Sequence, residues 1–172
     1  MKRAEAMAYF DMTEMESVPQ GKAAVLGYRK ILPSNEIRIV TEPLGEGKCI
    51  VESQEQGILG RALRRNNVVG VIIKDNELLR MTVEEIRTTD KMLVVPVHGI
   101  TCSDTRTRMR NIYRAKGLIA FALRAKAKIA LVSLAKDPSC MLSSQQMLLL
   151  AEFLGASDIQ SKAMLSSMGD VL

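Results

Sequence analysis

Three segments of this chain are apolar at nearly every position, and stretches with helical spacing separate them. They are VVGVIIK from Val68, KMLVVPVHGI from Lys91 and KIALVSLA from Lys128. A strand covered by other layers on both faces shows such a continuous apolar run, because neither face meets water. Strands that alternate with helices pair in parallel through right-handed crossovers. The sequence therefore predicts an α/β fold built on parallel strands.

Shorter segments extend this alternation to about six strands. Apolar or β-branched runs predict three further strands at 8–13, 37–42 and 48–53, and GKAAVLGYRKI (21–31) predicts a short helix after the first. So few strands leave two architectures open, a reduced or incomplete TIM-type barrel and an open doubly wound sheet. With 172 residues, we expect a single α/β domain over residues 1–172.

Several predicted helices begin with a recognisable cap. In a capping box, a Ser hydroxyl accepts a hydrogen bond from the backbone N–H three residues later, and a Gln at that position reaches back. Asp75 is predicted to cap the helix NELLRMTVEEI. The predicted capping boxes are Ser53/Gln56, Ser143/Gln146 and Ser157/Gln160.

The basic charge of the chain is concentrated in one predicted helix, from Ser103 to Lys128. This segment holds eight Lys or Arg and one acid, so it carries +7 while the remaining residues sum to −2. On a helical wheel, its arginines share an arc of about 80° and its apolar residues share another. The predicted basic face is Arg106, Arg110, Arg114 and Arg124. The predicted packed face is Met109, Ile112, Tyr113, Ile119, Ala120 and Leu123.

Arginines at this density, with few acids four residues away, indicate a polyanionic partner. The guanidinium fork matches phosphate oxygens, so we predict contacts to a nucleic-acid backbone, with Arg108, Lys126 and Lys128 included. Aromatic residues make up 3% of the chain and Trp is absent, which argues against base-stacking platforms. The alternative is an ordinary solvated helix face.

The cysteines and the amino terminus indicate a compartment. Cys49, Cys102 and Cys140 are odd in number and widely spaced, which predicts reduced thiols. The first residues lack the apolar core of a signal peptide, and no window has the length of a membrane span. We therefore expect a cytoplasmic protein with no membrane partner.

Few residues are available for catalysis. A metal-dependent phosphoesterase needs several His and carboxylate ligands, whereas this chain has one histidine, His98, so we predict no metal site and no catalytic residue. One enzymatic pattern is present, because Cys102 and Arg108 have the C-x5-R spacing of cysteine phosphatases. The intervening loop has no Gly and contains Asp104, both unfavourable for binding an anion. A cysteine-dependent phosphatase is kept as an alternative.

The carboxyl-terminal segment LVSLAKDPSCMLSSQQMLLLAEFLGAS resembles the ribonuclease P protein component three family, the thirty-kilodalton-type subunit of archaeal and eukaryal ribonuclease P. The common pattern is a strand ending in small residues, a basic residue, a short turn, a capping Ser and a helix ending in Leu-Gly. The chain also lacks a helix and strand that family members usually carry after the position of His98, which makes it a divergent and shortened member. The matching residues are Ser133, Ala135, Lys136, Asp137, Pro138, Ser143, Leu154 and Gly155. Departures from the pattern occur at Leu134, Leu142, Ser144 and Gln146.

The resemblance implies an incomplete barrel that serves as a noncatalytic, RNA-binding subunit and assists a catalytic RNA in removing 5′ leaders from precursor tRNA. It matches Arg80, His98 and Lys136 to positions after successive strands, so these residues are expected to form one RNA-binding patch at the carboxyl edge of the sheet. The implied partners are ribonuclease P RNA, precursor tRNA and a small ferredoxin-like protein subunit. Mg²⁺ is expected on the RNA, and no cofactor on the protein. A noncatalytic protein-interaction scaffold is a third hypothesis.

Overall fold

Seven short strands form the centre of the part of the chain that the computed structural model describes, residues 8–42 and 47–171. Every strand pair among them is parallel, which confirms the predicted α/β fold with crossover helices. The strands are β1 (Phe10–Met12), β2 (Lys30–Leu32), β3 (Arg38–Val40), β4 (Cys49–Ser53), β5 (Val68–Ile73), β6 (Met92–Pro96) and β7 (Ile129–Val132).

The order of the strands follows the order of the chain. Strands β3 to β7 form one five-stranded sheet in sequence, and β1 and β2 form a two-stranded sheet. The end of β1 lies beside the end of β7, where Thr13 and Ala135 form a parallel bridge. An order that advances in one direction is that of a barrel, whereas a doubly wound sheet reverses its order. No pairing among the described residues joins β2 to β3, so the barrel is incomplete there.

The helices connect most consecutive strands and cover the outside of the barrel. None of the described helices combines the length and the apolarity needed to cross a membrane. The α-helices are α1 (Lys22–Val25), α2 (Gln56–Leu63), α3 (Arg80–Arg87), α4 (His98–Thr101), α5 (Thr105–Ala125), α6 (Ser144–Phe153) and α7 (Asp158–Ser166). Short 3-10 helices cover Lys74–Asn76, Pro138–Cys140 and Ser167–Val171.

Alternation along the strands produces two apolar cores, one inside the barrel and one beneath the helices. Met168, from the last 3-10 helix, closes the inner core near the amino ends of β1 and β7. Inside the barrel, a Cβ at Gly70 would lie 2.8 Å from the backbone oxygen of Met92, so a larger residue would force β5 and β6 apart. The inner core contains Phe10, Met12, Leu32, Ile37, Ile50, Ile72, Met92, Val94, Ala130, Val132, Leu134 and Met168.

A buried carboxylate joins β1 to the end of β7. Asp11 Oδ1 accepts hydrogen bonds from the backbone N–H groups of Ser133 at 2.7 Å and Met12 at 2.8 Å. Its Oδ2 accepts from the Ser133 hydroxyl at 2.6 Å. Burial raises the pKa of Asp11 to about 6, although these hydrogen bonds act in the opposite direction. The side chain thus supplements the strand pairing at a seam that has a single backbone bridge.

Two local predictions differ from the structure. The short helix predicted within 21–31 forms as α1, but it ends at Val25 because Gly27 takes a left-handed conformation with φ +77°, and Lys30–Leu32 forms β2. The predicted capping box at Ser53 does not form. Ser53 remains in β4, paired with Ile73, and its hydroxyl accepts from the N–H of Glu55, which is the residue before α2.

The two later capping boxes are confirmed. At the start of α6, Ser143 Oγ accepts from the Gln146 N–H at 3.2 Å, and Gln146 Oε1 accepts from the Ser143 N–H at 2.8 Å. The same pair of bonds begins α7. Asp75 is not a cap, since it lies in a 3-10 turn with φ +57°, and α3 starts only at Arg80. Between His98 and α5 the chain forms α4 and no strand.

Candidate functional site

Helix α5 starts at the carboxyl end of the barrel and returns to the amino end of β7. Its 21 residues span about 31 Å, whereas the four residues of β7 span about 13 Å. The first turns of α5 therefore extend past the sheet. The residues of α5 that the structure buries all lie in its second half: Ala115, Leu118, Ile119 and Ala122.

Met109 and Tyr113 lie on the exposed side of the extending part of α5. The prediction that they pack is wrong, because Met109 is 61% exposed and Tyr113 is 82% exposed. These turns extend past the described strands of the sheet. Ala120 is exposed as well, whereas Ile119 is fully buried, and Ile112 and Leu123 pack half-buried against the core as predicted. A helical wheel assumes that the same face is packed along the whole helix, whereas the first turns of α5 extend past the sheet.

Arg106 and Arg110 lie beside these two side chains, since residues three and four apart share one helix face. Both arginines are exposed, and neither makes an ion pair with any described residue. We call Arg106, Met109, Arg110 and Tyr113 the arginine surface. Two unpaired guanidinium groups next to an exposed aromatic ring are suited to phosphates and to the face of a base.

Two other arginines of this part of α5 are bound within the protein. Arg114 is half-buried, with its guanidinium nitrogens 3.9 Å from Asp75 Oδ2 and 3.6 Å from Glu77 Oε1. Arg108 donates to the carbonyl oxygen of Ser103 at 3.0 Å. The acids that pair with Arg114 come from the turn after β5, so helical spacing within α5 could not indicate them.

The predicted basic residues from the end of α5 lie away from the arginine surface, with Arg124 about 20 Å along the helix axis from Arg110. Arg124 and Arg80 lie against the ring of Phe121, with distances of 5.9 and 5.8 Å from guanidinium carbon to ring centroid. Lys126 is exposed at the end of the helix, and Lys128 forms an ion pair of 2.6 Å. The structure thus divides the predicted basic face into two separate groups.

The amino terminus of α5 is already capped by a carboxylate. Asp104 Oδ1 accepts from two backbone N–H groups of the first turn, at 3.0 and 3.1 Å. Hydrogen bonds, led by that of Thr107, hold the pKa of Asp104 below its usual value, so this carboxylate is ionised at neutral pH. The amides that a cysteine phosphatase offers to phosphate are therefore occupied, and Arg108 is bonded to carbonyl oxygen. Cys102 is a free, exposed thiol. This geometry gives the phosphatase alternative no support.

At the carboxyl ends of the strands, the barrel opens into a cavity of about 320 Å³, which we call the mouth cavity. Its charged residues are mainly acidic, with Glu14 after β1, Glu52 in β4 and Asp75 after β5 facing the single lysine Lys136. Lys136 is itself paired with Glu14 at 3.6 Å. The described residues include no group of three or more His, Cys, Asp or Glu side chains placed to hold a metal ion. The mouth cavity is therefore an acidic site without a metal cluster.

Glu52 is the least compensated carboxylate of the mouth cavity. Burial is the largest influence on the pKa of Glu52 and raises it. The charges of Glu14 and Asp75 raise this pKa further, whereas those of Lys74 and Lys136 lower it. Among the described residues, Glu52 has no hydrogen-bond or ion-pair partner. Its side chain is thus a half-buried negative charge facing open space.

The predicted patch of Arg80, His98 and Lys136 forms only in part. His98 and Lys136 both line the mouth cavity, as expected for residues that follow β6 and β7. Arg80 does not line it, because its guanidinium lies over Phe121 on the outside of the barrel. RNA binding at these three residues stays a prediction, and the acids around His98 and Lys136 do not favour phosphate there.

Glu14 and Glu52 are residues of the mouth cavity that the sequence pattern was not used to predict. The signal was the two-residue period of the strands, since Glu14 follows Met12 and Glu52 follows Ile50 on the side that lines the barrel. An acid two positions beyond an inner apolar residue, at the carboxyl end of a strand, points into the mouth.

Comparison with known proteins yields a likeness of fold. A chain in the cryo-EM structure of archaeal ribonuclease P with mature tRNA superposes with a TM-score of 0.67. The match covers 99% of this chain and 82% of that chain, at 6% sequence identity. No protein-family model matches the sequence, and no curated protein matches it. At this identity, the likeness shows a shared fold.

Proposed function

We propose that this protein is a noncatalytic, RNA-binding subunit of ribonuclease P that assists the catalytic RNA in removing 5′ leaders from precursor tRNA. The observation that carries the proposal is the likeness of nearly the whole chain to a chain of archaeal ribonuclease P. The resemblance of the segment from Val132 to Gly155 to the protein component three family supports the same assignment independently of the fold.

The proposed RNA contact is the arginine surface. Arg106 and Arg110 are exposed and have no acidic partner among the described residues, so phosphates meet them without displacing an internal ion pair. Tyr113 adds an exposed ring on which an unpaired base can stack. Arg124 and Lys126 form a second, more distant basic group on the same helix. Arg114 contributes less, because Asp75 and Glu77 already neutralise it.

The protein acts by charge and shape. Guanidinium groups held on a helix neutralise closely spaced phosphates and release counterions, which stabilises a folded RNA. Mg²⁺ held by the RNA supplies the charge stabilisation for cleavage, and no side chain of this chain takes part in bond making. A small ferredoxin-like subunit is the proposed protein partner, on the strength of the family resemblance alone.

Copurification from the native cell tests this function. Sequencing of the RNA bound to the tagged protein is expected to show enrichment of ribonuclease P RNA and of tRNA precursors with 5′ extensions. Arg106→Glu/Arg110→Glu should lose both RNAs. Arg29→Glu, a reversal at an exposed arginine before β2, should retain them. Recovery of neither RNA with the parent protein would contradict the proposed function.

A further inference from the structure

The mouth cavity contains more hydrogen-bond acceptors than the protein can satisfy. Among the described residues, Glu52 has no hydrogen-bond or ion-pair partner. Asp75 Oδ2 has long contacts to Gln54 and Arg114, and Glu14 Oε2 has one to Lys136, so each of these carboxylates keeps a second oxygen free. Carboxylates alone would be an ordinary acidic cluster. A neutral side chain in the same cavity distinguishes this site from such a cluster.

That side chain is Asn76. It is 7% exposed, it lines the mouth cavity, and its Oδ1 has no hydrogen-bond partner. Its φ of +53° is held in the left-handed region at the end of β5, directly after Asp75, which is left-handed too. An unpaired buried amide oxygen costs about 1–3 kcal/mol, so its persistence calls for a donor from outside the chain. His98 Nδ1 is a second buried atom of this cavity without a partner.

We propose that the mouth cavity binds a small organic cation that carries N–H donors, an alkylammonium or a guanidinium compound, with Glu52 and Asn76 as its main ligands. The cavity volume lies in the range of about 300–1,000 Å³ typical of small-molecule sites. Three carboxylates and one lysine line the cavity, while Arg114 and Lys74 act on Asp75 and Glu52 from outside the lining, so the interior of the cavity favours a cation. A nitrogen bearing several hydrogens can donate to the Glu52 carboxylate and to Asn76 Oδ1 at once.

Two other ligand classes fit less well. A phosphate would face Glu14, Glu52 and Asp75 with Lys136 as its only fixed cation in the cavity, so charge repulsion opposes it. A divalent metal needs several oxygen ligands converging on one point, and the described residues offer no such group. The site is separate from the arginine surface, and its occupancy does not depend on RNA.

Calorimetric titration of the full chain in the absence of RNA tests the proposal. Agmatine, which carries both a guanidinium and an amine, and putrescine are the probes, with MgCl₂ and inorganic phosphate as comparison ligands. We expect saturable binding of agmatine or putrescine in the micromolar to low millimolar range and none of phosphate. Absence of saturable binding by both amines would overturn the proposal, as would Mg²⁺ binding that competes fully with them.

Variants at Glu52 connect the binding to the cavity. Glu52→Gln keeps the shape and removes the charge, so amine affinity should fall about tenfold, while Glu52→Asp should retain part of it. Glu84→Gln removes an exposed carboxylate on α3, outside the mouth cavity, and should bind like the parent. Equal affinity in Glu52→Gln and Glu84→Gln would overturn the proposal. Thermal melting of each variant verifies folding, and the outcome leaves the RNA-binding proposal unaffected.

Discussion

Arg110 and Asn111 are neighbours in α5, yet they belong to regions of opposite charge. Arg110 lies on the arginine surface, where no described acid pairs with it. Asn111 lines the acidic mouth cavity, where its Nδ2 donates to the carbonyl oxygen of Gly99 at 2.8 Å. Both regions lie at the carboxyl end of the barrel. The availability of a basic residue for RNA therefore depends on the acids that other elements bring to it.

Arg114 and Lys136 illustrate the same difference within the basic residues. Each is near the mouth, and each is matched to acids from another element, Asp75 and Glu77 for Arg114 and Glu14 for Lys136. Such paired groups gain less from a phosphate, because the neighbouring carboxylates offset part of their charge and repel the phosphate. The unpaired arginines of α5 carry no such cost.

The largest expected effect comes from reversing the charge of the arginine surface. Arg106→Glu/Arg110→Glu replaces two attractions to phosphate by two repulsions, which should weaken binding of precursor tRNA on the order of 50-fold, or about 2–3 kcal/mol. Fluorescence anisotropy with labelled RNA measures this loss. The control Arg29→Glu reverses one charge outside α5. Its affinity for precursor tRNA should stay within about threefold of that of the parent. Equal losses in both proteins would mean that net charge alone governs binding.

An effect of similar size, on stability instead of binding, is expected at the seam between β1 and β7, which holds Glu14 at the mouth. Burial raises the pKa of Asp11 in the folded protein to about 6, above the usual value of an aspartate, so folding favours its protonated form. Its contribution to stability is complete below pH 4 and is lost as the pH rises through 6. Asp11→Asn keeps the shape and the acceptor for Ser133 N–H without the charge. It should be more stable than the parent at pH 7 by about 2–3 kcal/mol, and equal to it near pH 4.

Urea unfolding at several pH values between 4 and 7 measures this difference. Asp90→Asn is a control, since the hydrogen bond from Lys91 lowers the pKa of the exposed Asp90 and places its titration below the pH range measured. The stability difference between that variant and the parent should therefore be nearly constant between about pH 5 and 7. If the difference in unfolding free energy between the parent and Asp11→Asn were the same at every pH, the buried charge of Asp11 would not control the stability of the seam.

The smallest expected effect comes from neutralising the mouth cavity. Glu14→Gln/Glu52→Gln removes two negative charges that lie outside the proposed RNA contact, so RNA affinity should rise by no more than about threefold. The same anisotropy assay applies. A tenfold fall in affinity would place the mouth at the RNA contact and would restore His98 and Lys136 as leading candidates.

Much of the architecture was predictable because the strands are buried on both faces. The apolar runs at β5, β6 and β7 and the capping boxes at Ser143 and Ser157 are local signals, and the structure bears them out. The sequence did not predict β2, because three residues are too few to show a strand pattern. The position of β2 beside β1 depends on tertiary pairing.

The candidate site was less predictable. The helix predicted from Ser103 to Lys128 is present as α5. The helical wheel could not show that the first turns pass beyond the sheet and leave Tyr113 exposed, because that depends on the lengths of α5 and β7 together. Likewise, the acids that neutralise Arg114 are distant in the chain. The spacing of residues within α5 therefore cannot reveal ion pairs with acids from other parts of the chain.

The salt dependence of RNA binding tests most directly whether the arginine surface contacts phosphates. Arg106→Ala/Arg110→Ala should lower the slope of log affinity against log salt by about 1.5–2 units, because each lost phosphate contact contributes about 0.7–0.9. Arg114→Ala, whose arginine is already paired, should change the slope by less than about half a unit. If the parent binds RNA and the double variant shows an unchanged slope, the arginine surface is not the phosphate contact.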